Sequence, residues 1–149
     1  MIDIDGSYGE GGGQILRTAL AFSAIFNVPI EVHHIRAGRK NPGLQPQHLK
    51  GVEALARITE AQTKGVKIGS EKITFLPKRI IPGDYQFEVG TAGSVTLVLQ
   101  ALLPPLCLAQ EGSRITLVGG THVQWSPPFH YLKEVLFPTL HSIGISVEA

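Results

Sequence analysis

One cysteine, Cys107, is all the sequence has, which excludes an intramolecular disulfide and any metal centre built on several thiolates. Its neighbours Leu106 and Leu108 make a buried thiol the expectation. Excess charge of one sign is also lacking. Lys and Arg number 13 against 12 Asp and Glu, a formal net charge of +1, so the chain as a whole does not attract polyanions. Any hold on nucleic acid or phosphate must come from cations gathered locally. No apolar run approaches the roughly 20 residues of a membrane span, and the stretch 97–109 is interrupted by Pro104 and Pro105. The start, with Asp3 and Asp5 leading straight into glycines, does not read as a signal peptide. These absences give a soluble, cytoplasmic reading with no membrane partner. The 149 residues, 43% hydrophobic and 17% charged, have the balance of a folded chain, one compact domain or part of a larger one.

Glycine is plentiful, at 17 residues, and its placement divides the chain. A strand candidate at 1–5 meets a glycine-rich segment at 6–13, then an apolar helix at 14–26 and a β-type run at 29–35. After a turn at 37–43, a second helix is predicted from about 46 to 61, with Leu49, Val52, Leu55 and Ala56 at helical spacing. Short strands near 66–68 and 72–75 follow. About 81 to 84 residues further on the pattern returns. It comprises a strand at 85–89, a glycine turn at 90–93, an apolar helix at 94–109, a β run at 114–118 and a helix near 128–143. Gly9 and Gly12 correspond to Gly90 and Gly93. Residues 145–149 read as one more strand without a partner. The predicted fold class is α+β, built from repeated βαβαββ sheet–helix units, about two of them present. Residues 1–80 form the first, with the glycine turn and an arginine cluster, and 81–149 a second, truncated one. A sheet with helices on one face needs a further covering layer, expected in sequence outside this chain.

The first glycine turn carries the sharpest chemical signal. Gly9-Glu10-Gly11-Gly12-Gly13 running into a helix allows close approach of an anion to backbone N–H groups. It lacks the Gly-Lys-Ser/Thr ending of a P-loop and the spacing of a dinucleotide fingerprint. A plain strand-to-helix turn is the other reading. Arg17 favours the anion, because Gln14, Arg17 and Thr18 share a face of an otherwise apolar helix. A guanidinium there needs an anionic partner. Glu10 would make a structural ion pair, and a bound phosphate is the alternative. Arg36, Arg39 and Lys40 put three cations in the next turn, either solvated or converging with Arg17 on one polyanion. Gln47 and His48 open the second helix facing that turn. Gln100 is a lone amide in an apolar helix, suited to a buried backbone group or to a ligand. Trp125, Pro127 and Pro128 suit a wall against a base or ribose, or simply a rigid loop. The six histidines are scattered. His33 and His34, adjacent on a strand, should point to opposite faces, so metal ligands stay unassigned.

The strings DGSYGEGGGQILRTAL at 5–20 and IRAGRKNPGL at 35–44, with QHL at 47–49, Gly93-Ser94 and Gly119-Gly120-Thr121, resemble the RNA 3'-terminal phosphate cyclases over essentially the whole chain. The resemblance implies a sheet–helix unit repeated about three times, with a smaller inserted domain. It implies a ligase that uses ATP and a divalent metal, Mg2+ or Mn2+, to convert an RNA 3'-phosphate into a 2',3'-cyclic phosphate. A histidine takes AMP covalently, the RNA phosphate receives it, and the neighbouring 2'-hydroxyl displaces it. Glu10, Arg17, Arg36, Arg39, Gln47 and His48 correspond to active-site positions, Gln100 to an ATP contact and Pro127 to the nucleotide's surroundings. RNA with a 3'-terminal phosphate is the implied partner, and a homodimer is compatible with the resemblance. The family's nucleotidylated histidine belongs to a C-terminal motif outside these residues, as does the inserted domain. The chain is therefore expected to be a fragment, without activity alone. Non-catalytic cyclase-like factors of ribosome assembly are the alternative within the resemblance. Enolpyruvyl-type transferases share the architecture, but nothing here matches their motifs.

Overall fold

The computed structural model describes residues 1–90 and 93–149, so Thr91 and Ala92 of the second glycine turn lie outside the described residues. Period-two alternation builds the first sheet. In β2 (Ile30–His33), Ile30 and Val32 are buried while Glu31 and His33 are half-buried. β1 (Ile2–Asp5) pairs parallel to it, with Ile4 opposite Val32 and Asp5 opposite His33. β3 (Gln62–Lys64) and β4 (Ile73–Leu76) pair antiparallel, and β4 lies antiparallel to β2, giving the order β1-β2-β4-β3. The strand expected at 66–68 is displaced to β3. Gly65 and Gly69, at φ +74° and +76°, turn the chain there in conformations that only glycine adopts freely.

Parallel neighbours need a crossover, and α1 (Gly13–Phe26) supplies it for β1 and β2. Its Leu16, Leu20 and Ala24 recur four residues apart and face the core. The left-handed Asn27, at φ 52°, ends it. α2 (Pro46–Thr59) opens on Pro46, whose missing N–H costs nothing in a first turn, and buries Val52, Leu55 and Ile58. β5 (Asp84–Glu88) and β6 (Arg114–Val118) pair parallel as a second sheet, with α3 (Val95–Cys107) crossing between them. The architecture is α+β.

α1, α2 and α3 pack on one another and bring Leu20, Leu55, Val98 and Leu102 into one core with Phe75. Each such side chain contributes roughly 1.5–3 kcal/mol by leaving water. Arg57 of α2 reaches over the rings of Tyr85 and Phe87 at 5.5 and 5.7 Å, tying the first sheet's helix to the second sheet. The last helical rod is α4 (Phe129–Tyr131), a π-helical stretch Leu132–Leu136 and α5 (Phe137–Ser142). Pro138 explains the wide turn, since its ring would press on the carbonyl of Glu134 in a regular α-helix. Residues 145–149, expected as a strand, form none.

Cys107 departs from its expectation as well. It is half-buried at the end of α3, with its thiol pKa raised by partial desolvation. Among the described residues no helix is long and apolar enough to cross a membrane. Ile2, Phe22 and Phe26 stand exposed along the β1–α1 side, with the two phenyl rings stacked at 6.0 Å.

Candidate active site

Parallel pairing sends the chain out of β1 and β2 at the same sheet edge, so the loops that follow lie together. Their contact is made by glycine. A Cβ on Gly11 would sit 2.9 Å from the Gly38 nitrogen, and one on Gly38 would sit 2.8 Å from the Glu10 carbonyl. Gly11 also takes φ +54°. Above this contact opens a broad cleft of about 1320 Å³ that runs from Glu10, Gly12, Gly13, Arg17, Arg36, Arg39, Gln47 and His48 on to the apolar β1–α1 face at Ile2, Phe22 and Phe26. Glu10, Arg17, Arg36, Arg39, Gln47 and His48 thus line one cleft, while Gln100 and Pro127 do not. Lys40 is not among the lining residues.

Glu10 does not meet Arg17. Its Oε2 lies 3.2 Å from Nη2 of Arg39, because the glycine contact sets the two loops side by side. Arg17 instead donates from Nε to Oε1 of Gln100 at 3.2 Å, and no ion pair among the described residues includes it. Burial lowers its pKa. Arg36, at φ +57°, donates from Nη1 to the carbonyls of Asn41 at 2.5 Å and Gly43 at 2.9 Å. It thereby braces its own loop. Its charge also has no carboxylate partner among the described residues, and burial, then Arg39, depresses its pKa. Among the described residues, these two cleft cations are answered by neutral dipoles, an arrangement that attracts an anion.

His48 sits on the first turn of α2 and is 7% exposed. Its Nδ1 accepts the Gln45 N–H at 3.4 Å, which leaves the proton on Nε2. Nε2 points at Gly13, where any Cβ would collide with it and lie 3.2 Å from Nη1 of Arg17. Burial, then Arg36 and Arg17, lowers the His48 pKa from 6.5 to about 4. The imidazole is neutral at pH 7 and offers an N–H donor to the cleft. A stability consequence follows. The unfolded chain takes up this proton below pH 6.5 and the folded chain only near pH 4, so the contribution is complete above 6.5 and lost on acidification between those values. Its size is on the order of 3 kcal/mol. Denaturant titrations at pH 4.5 and 7 should show a smaller acid loss in His48→Gln than in the wild type. Equal losses would contradict the assignment.

Gln47 has a supporting contact besides lining the cleft. Its Oε1 accepts the Ser94 backbone N–H at 3.2 Å. From there a buried chain continues: Ser94 Oγ to Thr96 Oγ1 at 2.8 Å, and Thr96 Oγ1 to the Pro127 carbonyl at 2.8 Å. It pins the start of α3 to α2 and to the 127 loop. Gln100 and Pro127 both line a second, apolar cavity of about 450 Å³ between α3 and the last helical rod. Gln100 therefore borders this cavity while holding Arg17 of the cleft. Trp125, 90% exposed, and Tyr8 stand at the cleft wall. Tyr8, a lone exposed ring in a glycine-rich run, carries no periodic signal in the sequence.

The two adjacent histidines do not diverge. His34 takes φ +50°, the strand ends at His33, and the Nδ1 atoms meet at 3.1 Å outside the cleft.

The sequence model of the family described as RNA 3'-terminal phosphate cyclase matches residues 8–149. The chain is similar to the RNA 3'-terminal phosphate cyclase of Staphylothermus marinus, 53% identical over 148 residues, 99% of this chain and 42% of that protein. The Pyrococcus furiosus relative of the same name is 51% identical over 148 residues, 99% and 43% of the two chains. For that of Archaeoglobus fulgidus the values are 48% over 148 residues, 99% and 45%. The chain spans less than half the length of these curated relatives. With the family model matching residues 8–149, a range that takes in α1, the basic turn and the starts of α2 and α3, the chain belongs to the RNA 3'-terminal phosphate cyclase family.

Proposed function

We propose that the protein to which this chain belongs is an ATP-dependent RNA 3'-terminal phosphate cyclase, and that the cleft grips the phosphates that react. The observation that carries the reading is Arg17, a half-buried cation beside a neutral N–H donor and without a carboxylate partner among the described residues. Charge develops on phosphate oxygens in adenylyl transfer, and fixed guanidinium and N–H donors stabilise it. Arg17 and His48 Nε2 are placed for that work beside the N–H groups of the α1 start. The adjoining apolar cavity, bordered by Gln100 and Pro127, accommodates a base whose phosphates reach Arg17.

In this reading a histidine outside these residues displaces pyrophosphate from the α-phosphorus of ATP, forming a P–N bond. An oxygen of the RNA 3'-phosphate then displaces that histidine. The 2'-hydroxyl finally attacks the 3'-phosphorus, loses its proton, and expels AMP. This last step is intramolecular, so orientation does most of the work. Glu10 is the carboxylate in the cleft and suits a divalent ion shared with the nucleotide's phosphates. Such an ion would neutralise phosphate charge when bound.

The test uses the full-length protein and an oligoribonucleotide ending in a 3'-phosphate. With ATP and Mg2+ the terminal phosphate should become resistant to phosphatase, and without ATP it should stay sensitive. Sensitivity under both conditions would favour a binding factor instead.

A further inference from the structure

We propose that Asp5, His33 and His34 form a binding site for a transition-metal dication of the zinc type, separate from the cleft. The parallel register sets Asp5 opposite His33 at the ends of β1 and β2. The left-handed turn at His34 then swings its ring to the same side. Three donor atoms converge. Nδ1 of His33 and Nδ1 of His34 are 3.1 Å apart, Nδ1 of His34 and Oδ1 of Asp5 are 3.2 Å apart, and the third side is 4.0 Å. A circle through these atoms has a radius of about 2.0 Å, the length of a zinc–nitrogen or zinc–oxygen bond, so one ion can reach all three, and a small rotation of the exposed Asp5 side chain would close the 4.0 Å side towards tetrahedral spacing.

The surroundings support ligation. Oδ1 of Asp3 lies 3.3 Å from Nε2 of His33, so it takes that N–H and leaves the lone pair on Nδ1 facing the other donors. Ser7 holds the Asp5 carboxylate, donating to Oδ1 from its backbone nitrogen at 2.9 Å and its hydroxyl at 2.7 Å. The two imidazole nitrogens and Oδ1 of Asp5 face one another there. A metal satisfies all three at once. The side chains of His34 and Asp5 are 62% and 52% exposed, which leaves room for water in a fourth position. Two imidazoles with one carboxylate select Zn2+, Co2+ or Ni2+ over Mg2+. The ion would clamp the ends of the two strands that feed the glycine-rich and basic loops.

This inference does not depend on the proposed activity, and its test reads binding alone. The full-length protein, stripped with a chelator, is titrated with ZnCl2 by calorimetry and with CoCl2 by visible absorption. One tight equivalent is expected, with cobalt bands of a site having nitrogen donors and undisturbed by millimolar Mg2+. His34→Asn, which retains a residue tolerant of positive φ, and His33→Gln should each remove it. Asp3→Asn should weaken it about 10- to 100-fold. Nε2 of His122 and Nδ1 of His130 also approach to 3.1 Å, so His122→Gln is the control and should bind as wild type. No binding, binding unchanged in the His34 and His33 variants, loss only in the His122 variant, or displacement by Mg2+ would each overturn the assignment.

Discussion

Replacing Arg17 with alanine in the full-length protein is expected to slow ATP-dependent cyclisation by about 100- to 1,000-fold, the usual cost of removing a fixed oxyanion donor. Stability should move the other way or not at all. The guanidinium is desolvated without a carboxylate partner among the described residues, and its described side-chain bond is to the amide of Gln100. Deleting it leaves no apolar cavity, because Leu16 and Leu20 of the same helix fill the core and Arg17 lines the cleft. Arg17→Lys should restore only part of the rate, since an ammonium cannot reproduce a planar, two-pronged contact with phosphate. Wild-type turnover in Arg17→Ala would remove the residue from the mechanism. A large fall in melting temperature would make its role structural instead.

The second large effect is expected from one methyl group. Gly13 begins α1, and it is not one of the glycines held at positive φ. On backbone grounds alone Gly13→Ala should be neutral or slightly stabilising, because alanine loses less conformational freedom. The added Cβ, however, would overlap Nε2 of His48 and press on Nη1 of Arg17. His48 is locked on the first turn of α2 and buried, so it cannot step aside cheaply. Both donors should be driven from their positions, with at least a 100-fold loss of cyclisation and a lowered unfolding midpoint, since overpacking of this kind costs about 1–3 kcal/mol. Gly9, where an added Cβ meets nothing, provides contrast, although its φ of +62° makes alanine strained there. Near-normal activity in Gly13→Ala would show that the packed arrangement of His48, Gly13 and Arg17 is not the working one.

Much of this site was legible because its signals are local. Glycines before a helix, a cation on an apolar helix and a basic turn after a strand each announce themselves within a few residues. Parallel pairing of β1 and β2 then brings the two segments together. What the sequence concealed depends on tertiary placement. The contact from Arg17 to Gln100 crosses 83 positions and exists because α1 and α3 pack together. Gln47 reads as another cleft residue, yet its described side-chain bond is to the N–H of Ser94, a partner delivered by the fold. Strand alternation ends at His33, so the adjacent histidines do not point to opposite faces. The backbone turns at His34, and no periodicity records a positive φ. Similarly, Val66 and Ile68 look β-forming, but the flanking Gly65 and Gly69 decide the local path.

In the proposed mechanism this chain grips and polarises phosphate without attacking it. His48 is the test of that division of labour, since its proton sits on the nitrogen facing the cleft. The direct measurement is the intact mass of the full-length protein after incubation with ATP and Mg2+, followed by mapping of any adduct to a peptide. One adenylyl group is expected, on a histidine outside residues 1–149, with His48 unmodified. An adduct on His48 would make it the nucleophile and contradict its assignment as a donor, and no adduct on any residue would contradict the adenylyl mechanism itself.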